Sequence, residues 1–216
     1  MSKILISGYY GFANAGDEAM LTAIIESLRQ VEKNVELTVL SGNPEDTAAK
    51  HQVCSVYRFN PLGIIRAMKD SELIISGGGS LLQDVTSKRS LLYYLSIIGL
   101  GKFLGKKVML FAQGIGPIRA KWARKLTSLV CNEADLITVR DSESAAELIE
   151  MGVKPEKITV TADSLLSLNP VTKECGQYLL QEAGVDLTKP VIGISVRPWS
   201  GDSCLLYTSP SPRDRQ

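Results

Sequence analysis

The sequence predicts an α/β protein built on a Rossmann-like, mostly parallel sheet with helices on both faces. Three observations carry that expectation. Short, continuously apolar runs recur along the chain, as in strands buried on both faces. Segments with apolar residues at helical spacing separate them. Glycine-rich or polar clusters follow strand after strand, where open parallel sheets bind their ligands.

Taken in order, Lys3 to Ser7 is the first apolar run, followed by a helical pattern over 17–30 carrying Met20, Ala23, Ile24 and Leu28. Val35 to Leu40 is a second strand, stopped by Ser-Gly-Asn-Pro, and Glu72 to Ser76 is a third, ending in three glycines. Lys107–Ala112, Asp135–Arg140, Lys157–Thr161 and Val191–Val196 complete the set of strands. Helices are expected over 61–70, 89–105, 118–133, 141–150 and 172–183.

Composition excludes several functions. Lysine plus arginine number 24 against 23 acids, so no basic excess marks a nucleic-acid partner. Four cysteines without a C-x-x-C pair, and His51 as the sole histidine, argue against a metal site and for reduced, cytosolic thiols. Residues 91–104 form the most apolar stretch, well short of the ~20 residues a bilayer span requires. The N-terminus lacks a secretory apolar core. A cytoplasmic protein with at most peripheral membrane contact is expected, and nothing sets an oligomeric state.

Residues 204–216 have no structural period. Back-translated, the first eleven resemble a transposase adapter used in DNA sequencing libraries, so this tail is read as non-native. The expected organisation is a Rossmann-like domain over 1–170, the start of a second domain over 171–203, and the tail.

The strand-end clusters are the candidate site. Gly8-Tyr-Tyr-Gly-Phe-Ala-Asn-Ala-Gly-Asp-Glu18 is neither a dinucleotide fingerprint nor a P-loop, because Asp17-Glu18 stand where a P-loop has Lys-Ser. Tyr10 and Phe12 could stack on a sugar ring with Asn14 and Asp17 as hydroxyl partners. Equally, Asp17 could cap the next helix while the aromatics close the core. Gly78 and Gly79, in Ser76-Gly-Gly-Gly-Ser80, could offer backbone N–H groups to an anion or serve packing alone. Gln113 is the side chain of Gln113-Gly-Ile-Gly-Pro117 able to read a ligand. Arg140 and Arg197 each end an apolar strand and suit a small phosphorylated acid; a salt bridge of Arg140 with Asp141 or Asp163 is the alternative. His51 is expected at the surface, and Leu91, Leu92, Tyr94, Leu95 and Ile98 form a helix core stripe.

Five ordered blocks resemble the polysaccharide pyruvyl transferase family, specifically its CsaB-type members. They are Gly8 to Glu18, Ser76 to Asp84, Ala112 to Pro117, Thr138 to Asp141 and Ser195 to Trp199, and the resemblance runs from about residue 3 to 199. Asp163-Ser164 departs from the Asp-Pro expected there. The resemblance implies the N-terminal half of a two-domain fold like the B-type glycosyltransferases, with the active site in the cleft between halves. It implies that phosphoenolpyruvate donates its three-carbon unit as a ketal to two hydroxyls of one sugar, an N-acetylmannosamine of a lipid-linked cell wall polymer that anchors S-layer-homology domains. Phosphoenolpyruvate is then a substrate and no cofactor is needed. On this resemblance Arg140 and Arg197 grip the donor, Tyr10, Phe12, Asn14 and Asp17 touch the acceptor, and the proton donor is a histidine of the C-terminal half, which His51 does not match. The chain is accordingly expected to be a catalytically silent fragment. A nucleotide-sugar glycosyltransferase of the same architecture is the competing expectation.

Overall fold

The computed structural model describes residues 2–85 and 87–194. The whole Ser195–Trp199 block, Arg197 included, and the 204–216 tail lie outside the described residues. The described residues up to Leu168 form one compact unit, and those from Asn169 to 194 belong to a second.

The first unit is a seven-stranded, fully parallel sheet in the order β3-β2-β1-β4-β5-β6-β7. Its strands are β1 (Lys3–Tyr10), β2 (Glu36–Ser41), β3 (Cys54–Tyr57), β4 (Leu73–Gly77), β5 (Lys107–Gln113), β6 (Leu136–Val139) and β7 (Ile158–Val160). The helices are α1 (Ala15–Val31), α2 (Pro44–His51), α3 (Pro61–Asp70), α4 (Lys88–Phe103), α5 (Lys121–Glu133) and α6 (Ser142–Glu150). The second unit contains α7 (Lys173–Glu182), whose N-terminus is capped by Thr172.

Period-two alternation splits the core between the two faces of the sheet. Ile4, Ile6, Leu37 and Val39 meet Leu21, Ile24 and Ile25 of α1. Leu5, Leu40, Ile74, Val108, Leu110 and Ile137 meet Met68 of α3, Leu95 and Ile98 of α4, Cys131 of α5 and Leu148 of α6. The expected stripe on α4 is core at Leu91, Tyr94, Leu95 and Ile98, while Leu92 is 41% exposed.

Two elements escape the periodicity. α2 (PEDTAAKH) is polar almost throughout, and β3 spans four residues. Each of α2 and α3 nevertheless begins with an Asn cap followed by Pro at the first turn, Asn43-Pro44 and Asn60-Pro61. That pair is a start signal, because proline lacks the N–H that a first turn leaves unused. Conversely, residues 191–194 of the expected 191–196 strand form none, and 195–196 lie outside the described residues. Among the described residues no helix is long and apolar enough to cross a membrane.

Cys54, Cys131 and Cys175 are free, and burial pushes the Cys131 thiol up to about 12.

Candidate functional site

The strand order reverses direction between β1 and β4, and a crevice opens outside the carboxyl ends of such a pair. The clusters flagged in the sequence converge there through short contacts. Tyr10 Oη donates to Gly77 O at 2.7 Å, tying the end of β1 to that of β4. Gly78 N donates to Phe111 O at 3.1 Å and Gly114 N to Gly79 O at 2.9 Å, tying β4 to β5. Arg140 Nη2 donates to Ser80 Oγ at 3.2 Å, bringing in β6.

The loop after β1 is held in an unusual conformation. Gly11 (φ +78°) and Ala13 (φ +55°) flank Phe12, and Glu18 Oε1 accepts from Gly11 N at 2.8 Å. Phe12 lies against Gly42, where an added Cβ would come within 2.6 Å of its Cζ, so only glycine leaves that space. Tyr9 and Phe12 stack with centroids 4.4 Å apart, each 41% exposed.

Tyr10 is not part of that surface. It is 1% exposed, and burial, with the nearby Asp17, Tyr94 and Glu18, pushes its phenol well above the usual tyrosine range. Alternation explains the outcome: Tyr10 shares a face with Ile4 and Ile6, and its ring fills the space a side chain at Gly8 would take. The exposed aromatic pair is thus Tyr9–Phe12, with Tyr9 supplying the ring that the sequence reading assigned to Tyr10.

Asn14, and not Asp17, caps α1, its Oδ1 accepting from Gly16 N at 3.1 Å. Asp17 sits in the first turn with its carboxylate facing Gly79, where an added Cβ would lie 3.3 Å from Oδ1.

Gln113 is completely buried. Its Nε2 donates to Ser76 O at 2.9 Å, so it ties β5 to β4. Gly78 has spent its N–H on Phe111 O, which removes it as an anion donor. Asp84, in the same loop, accepts from Arg119 N at 3.0 Å and Ala120 N at 2.9 Å. Those bonds, from Arg119 first, hold its carboxyl below the usual range.

Both salt-bridge alternatives for Arg140 are realised together. Its Nε lies 3.3 Å from Asp141 Oδ2 and its Nη1 3.6 Å from Asp163 Oδ2. The guanidinium lies flat over Gly114, where an added Cβ would stand 2.7 Å from Cζ. Its side chain keeps 35% exposure, although Nε, Nη1 and Nη2 each have a partner in Asp141, Asp163 and Ser80. Asp141 also accepts from Ser144 N at 2.7 Å at the start of α6, which chiefly holds its carboxyl low.

His51 is not a surface residue. It ends α2 with 10% side-chain exposure, its Nε2 3.7 Å from Glu18 Oε2. The α2 helix, unseen in the sequence, turns it inward. Among the described residues no group of three His, Cys, Asp or Glu could hold a metal.

Arg58, just beyond β3, was missed by sequence reasoning. It is 4% exposed and lies among five aromatic rings. The flanking Tyr57 and Phe59 were the available signal: an arginine between aromatics at a strand end.

The fold is shared with several solved structures. An Anabaena protein, Alr3699/HepE, solved in complex with UDP-glucose, is 14% identical with a TM-score of 0.56 over 85% of this chain and 50% of its own. A glycosyltransferase from Rickettsia africae is 12% identical, TM-score 0.55, over 88% and 51%. A candidate UDP-N-acetylglucosamine 2-epimerase from Listeria monocytogenes is 11% identical, TM-score 0.54, over 84% and 51%. The chain therefore spans about half the length of these structures, which have the B-type glycosyltransferase architecture. No curated protein matches the sequence. The polysaccharide pyruvyl transferase profile matches residues 14–196, most of the chain, and the protein belongs to that family.

Proposed function

We propose that this chain supplies the N-terminal half of a pyruvyl transferase of the CsaB type. It would place the three-carbon unit of phosphoenolpyruvate on a sugar as a cyclic ketal. The observation that carries the reading is the presence of an exposed aromatic platform, Tyr9–Phe12, and the 35%-exposed side chain of Arg140 on one sheet end. Aromatic faces suit the apolar face of a pyranose, and a forked cation suits carboxylate or phosphate.

The chemistry divides into three demands. C3 of the enol takes a proton, C2 becomes electrophilic and is attacked by one sugar hydroxyl, and a second hydroxyl displaces inorganic phosphate. One hydroxyl proton balances the C3 protonation and the other leaves with phosphate. Arg140 is proposed to hold donor charge as it shifts, exchanging part of its hold on Asp141 and Asp163 for the ligand. Phe12 with Tyr9, Asn14, Asp17 and the Gly79 turn are proposed to position the acceptor, and Arg197 to complete the donor grip. No cofactor beyond phosphoenolpyruvate is invoked. The acceptor we propose is an N-acetylmannosamine of a lipid-linked cell wall polymer, modified at the cytoplasmic face with at most peripheral membrane contact; the pyruvylated polymer would anchor S-layer proteins.

A nucleotide-sugar glycosyltransferase is the second reading, favoured by the fold likeness to the UDP-glucose complex. Calorimetric titration separates them. Phosphoenolpyruvate is expected to bind, with Arg140→Ala weakening it about tenfold or more, as for a lost charge-assisted contact. Binding of UDP-glucose with none of phosphoenolpyruvate would overturn the proposal.

A further inference from the structure

Arg58 presents an unusual electrostatic problem. A guanidinium this deeply buried ordinarily needs a carboxylate, because desolvating an unpaired cation is costly. Among the described residues its hydrogen-bond partners are neutral: Nη1 donates to Gly8 O and Nη2 to Tyr94 Oη, both at 3.3 Å, and Nε donates to nothing.

Aromatic faces surround the cation. The Arg58 Cζ lies 4.4 Å from the Tyr93 ring centroid, 5.2 Å from Phe59, 5.3 Å from Phe12, 5.5 Å from Tyr94 and 5.8 Å from Tyr9. Each ring's negative face attracts the cation, and the attraction strengthens where water is excluded. The Nε is buried, so within the protein the rings are its surroundings.

The five rings are not equivalent. Tyr93 and Tyr94 belong to α4, and Tyr94 is core. Tyr9 and Phe12 are the exposed stacked pair on the loop after β1. Arg58 therefore bridges the fixed interior to the one aromatic surface the loop offers. That loop otherwise hangs on Glu18, on Gly42 N donating to Tyr10 O at 2.9 Å, and on two positive-φ residues.

We propose that Arg58 is a positioning residue for acceptor recognition: its buried guanidinium locks the Tyr9–Phe12 pair, from the interior side, in the orientation that receives the sugar ring. The inference rests on the platform reading given above, and it adds a residue that touches no ligand.

A double-mutant cycle tests it, with the methyl glycoside of N-acetylmannosamine as probe and NMR titration as readout. Arg58→Met is expected to weaken glycoside binding about tenfold, the scale of a desolvated cation–π contact, and to leave phosphoenolpyruvate affinity unchanged. Phe12→Ala should weaken binding at least as much, and the double variant no further. Arg58→Lys should recover part of the loss. Should Arg58→Met fail to fold, Arg58→Lys carries the comparison, with a loss of a few fold expected.

Wild-type glycoside affinity in both Arg58 variants, or losses that multiply in the double variant, would overturn the proposal. Unchanged affinity in Phe12→Ala would instead sink the platform reading. Arg58 is then judged without any ligand, by acrylamide quenching of Phe12→Trp in a Trp122→Phe, Trp199→Phe background. Adding Arg58→Lys should raise the quenching constant about twofold if Arg58 anchors the ring; an unchanged constant rejects anchoring.

Discussion

Tyr10 and Tyr9 are adjacent and chemically identical, yet one is core and the other surface. The difference is one step of strand alternation, reinforced by the Gly77 carbonyl that accepts the Tyr10 hydroxyl at 2.7 Å. Tyr10→Phe leaves that buried carbonyl without the hydroxyl. It is expected to lower unfolding free energy by about 1–3 kcal/mol in urea titration, with glycoside and phosphoenolpyruvate binding unchanged. The same logic separates Gln113, committed to Ser76 O inside the sheet, from Arg140, whose side chain stays 35% exposed. Periodicity in the sequence was not enough to predict the Tyr10 outcome, since the expected strand ended at Ser7 and the β1–β2 register shifts between Ser7 and Tyr10. Nor could it predict the packing that buries Gln113, which depends on β4 lying beside β5.

At the scale of elements, the loops beyond the carboxyl ends are stapled by side chains borrowed from one another. α5 has no side-chain cap of its own at Ala120. Asp84, from the loop after β4, instead binds the two amides leading into it and lays negative charge near the positive end of that helix. Asp84→Ala is expected to cost about 1 kcal/mol, read from the urea midpoint, while Asp84→Asn recovers most of it by keeping an acceptor. The Ser-Gly-Gly-Gly-Ser-Leu-Leu-Gln-Asp string was visible as a block, and its last residue proves to be architectural. Strands and amphipathic helices were legible because their burial period is local. α2 and β3 were not, being respectively too polar and too short to carry one.

Across the whole molecule, stability in acid also draws on the opposite end of the sheet. Burial alone would raise the Asp135 carboxyl. Hydrogen bonds from Lys102, Val108 N and Lys107 outweigh it and lower the value from 3.8 to about 2. A carboxylate with a depressed folded-state pKa contributes its full stabilisation above the unfolded value. It loses that contribution as pH falls from about 4 through 2. Asp135→Asn should therefore reduce stability by roughly 1–2 kcal/mol at pH 7, allowing for solvent screening, and narrow its gap to wild type toward pH 2. Paired melts across that range provide the measurement. The sequence by itself determined the α/β class, most of the elements, and the gathering of unusual residues beyond strand ends, because each is written in local periodicity and turn chemistry. Only the tertiary structure decided that Tyr9 and Phe12 form the surface, that Arg140 shares itself between Asp141 and Asp163, and that aromatic faces surround Arg58. Those facts follow from which strands lie side by side, and in a parallel sheet neighbours are set by crossovers that no stretch of sequence encodes alone.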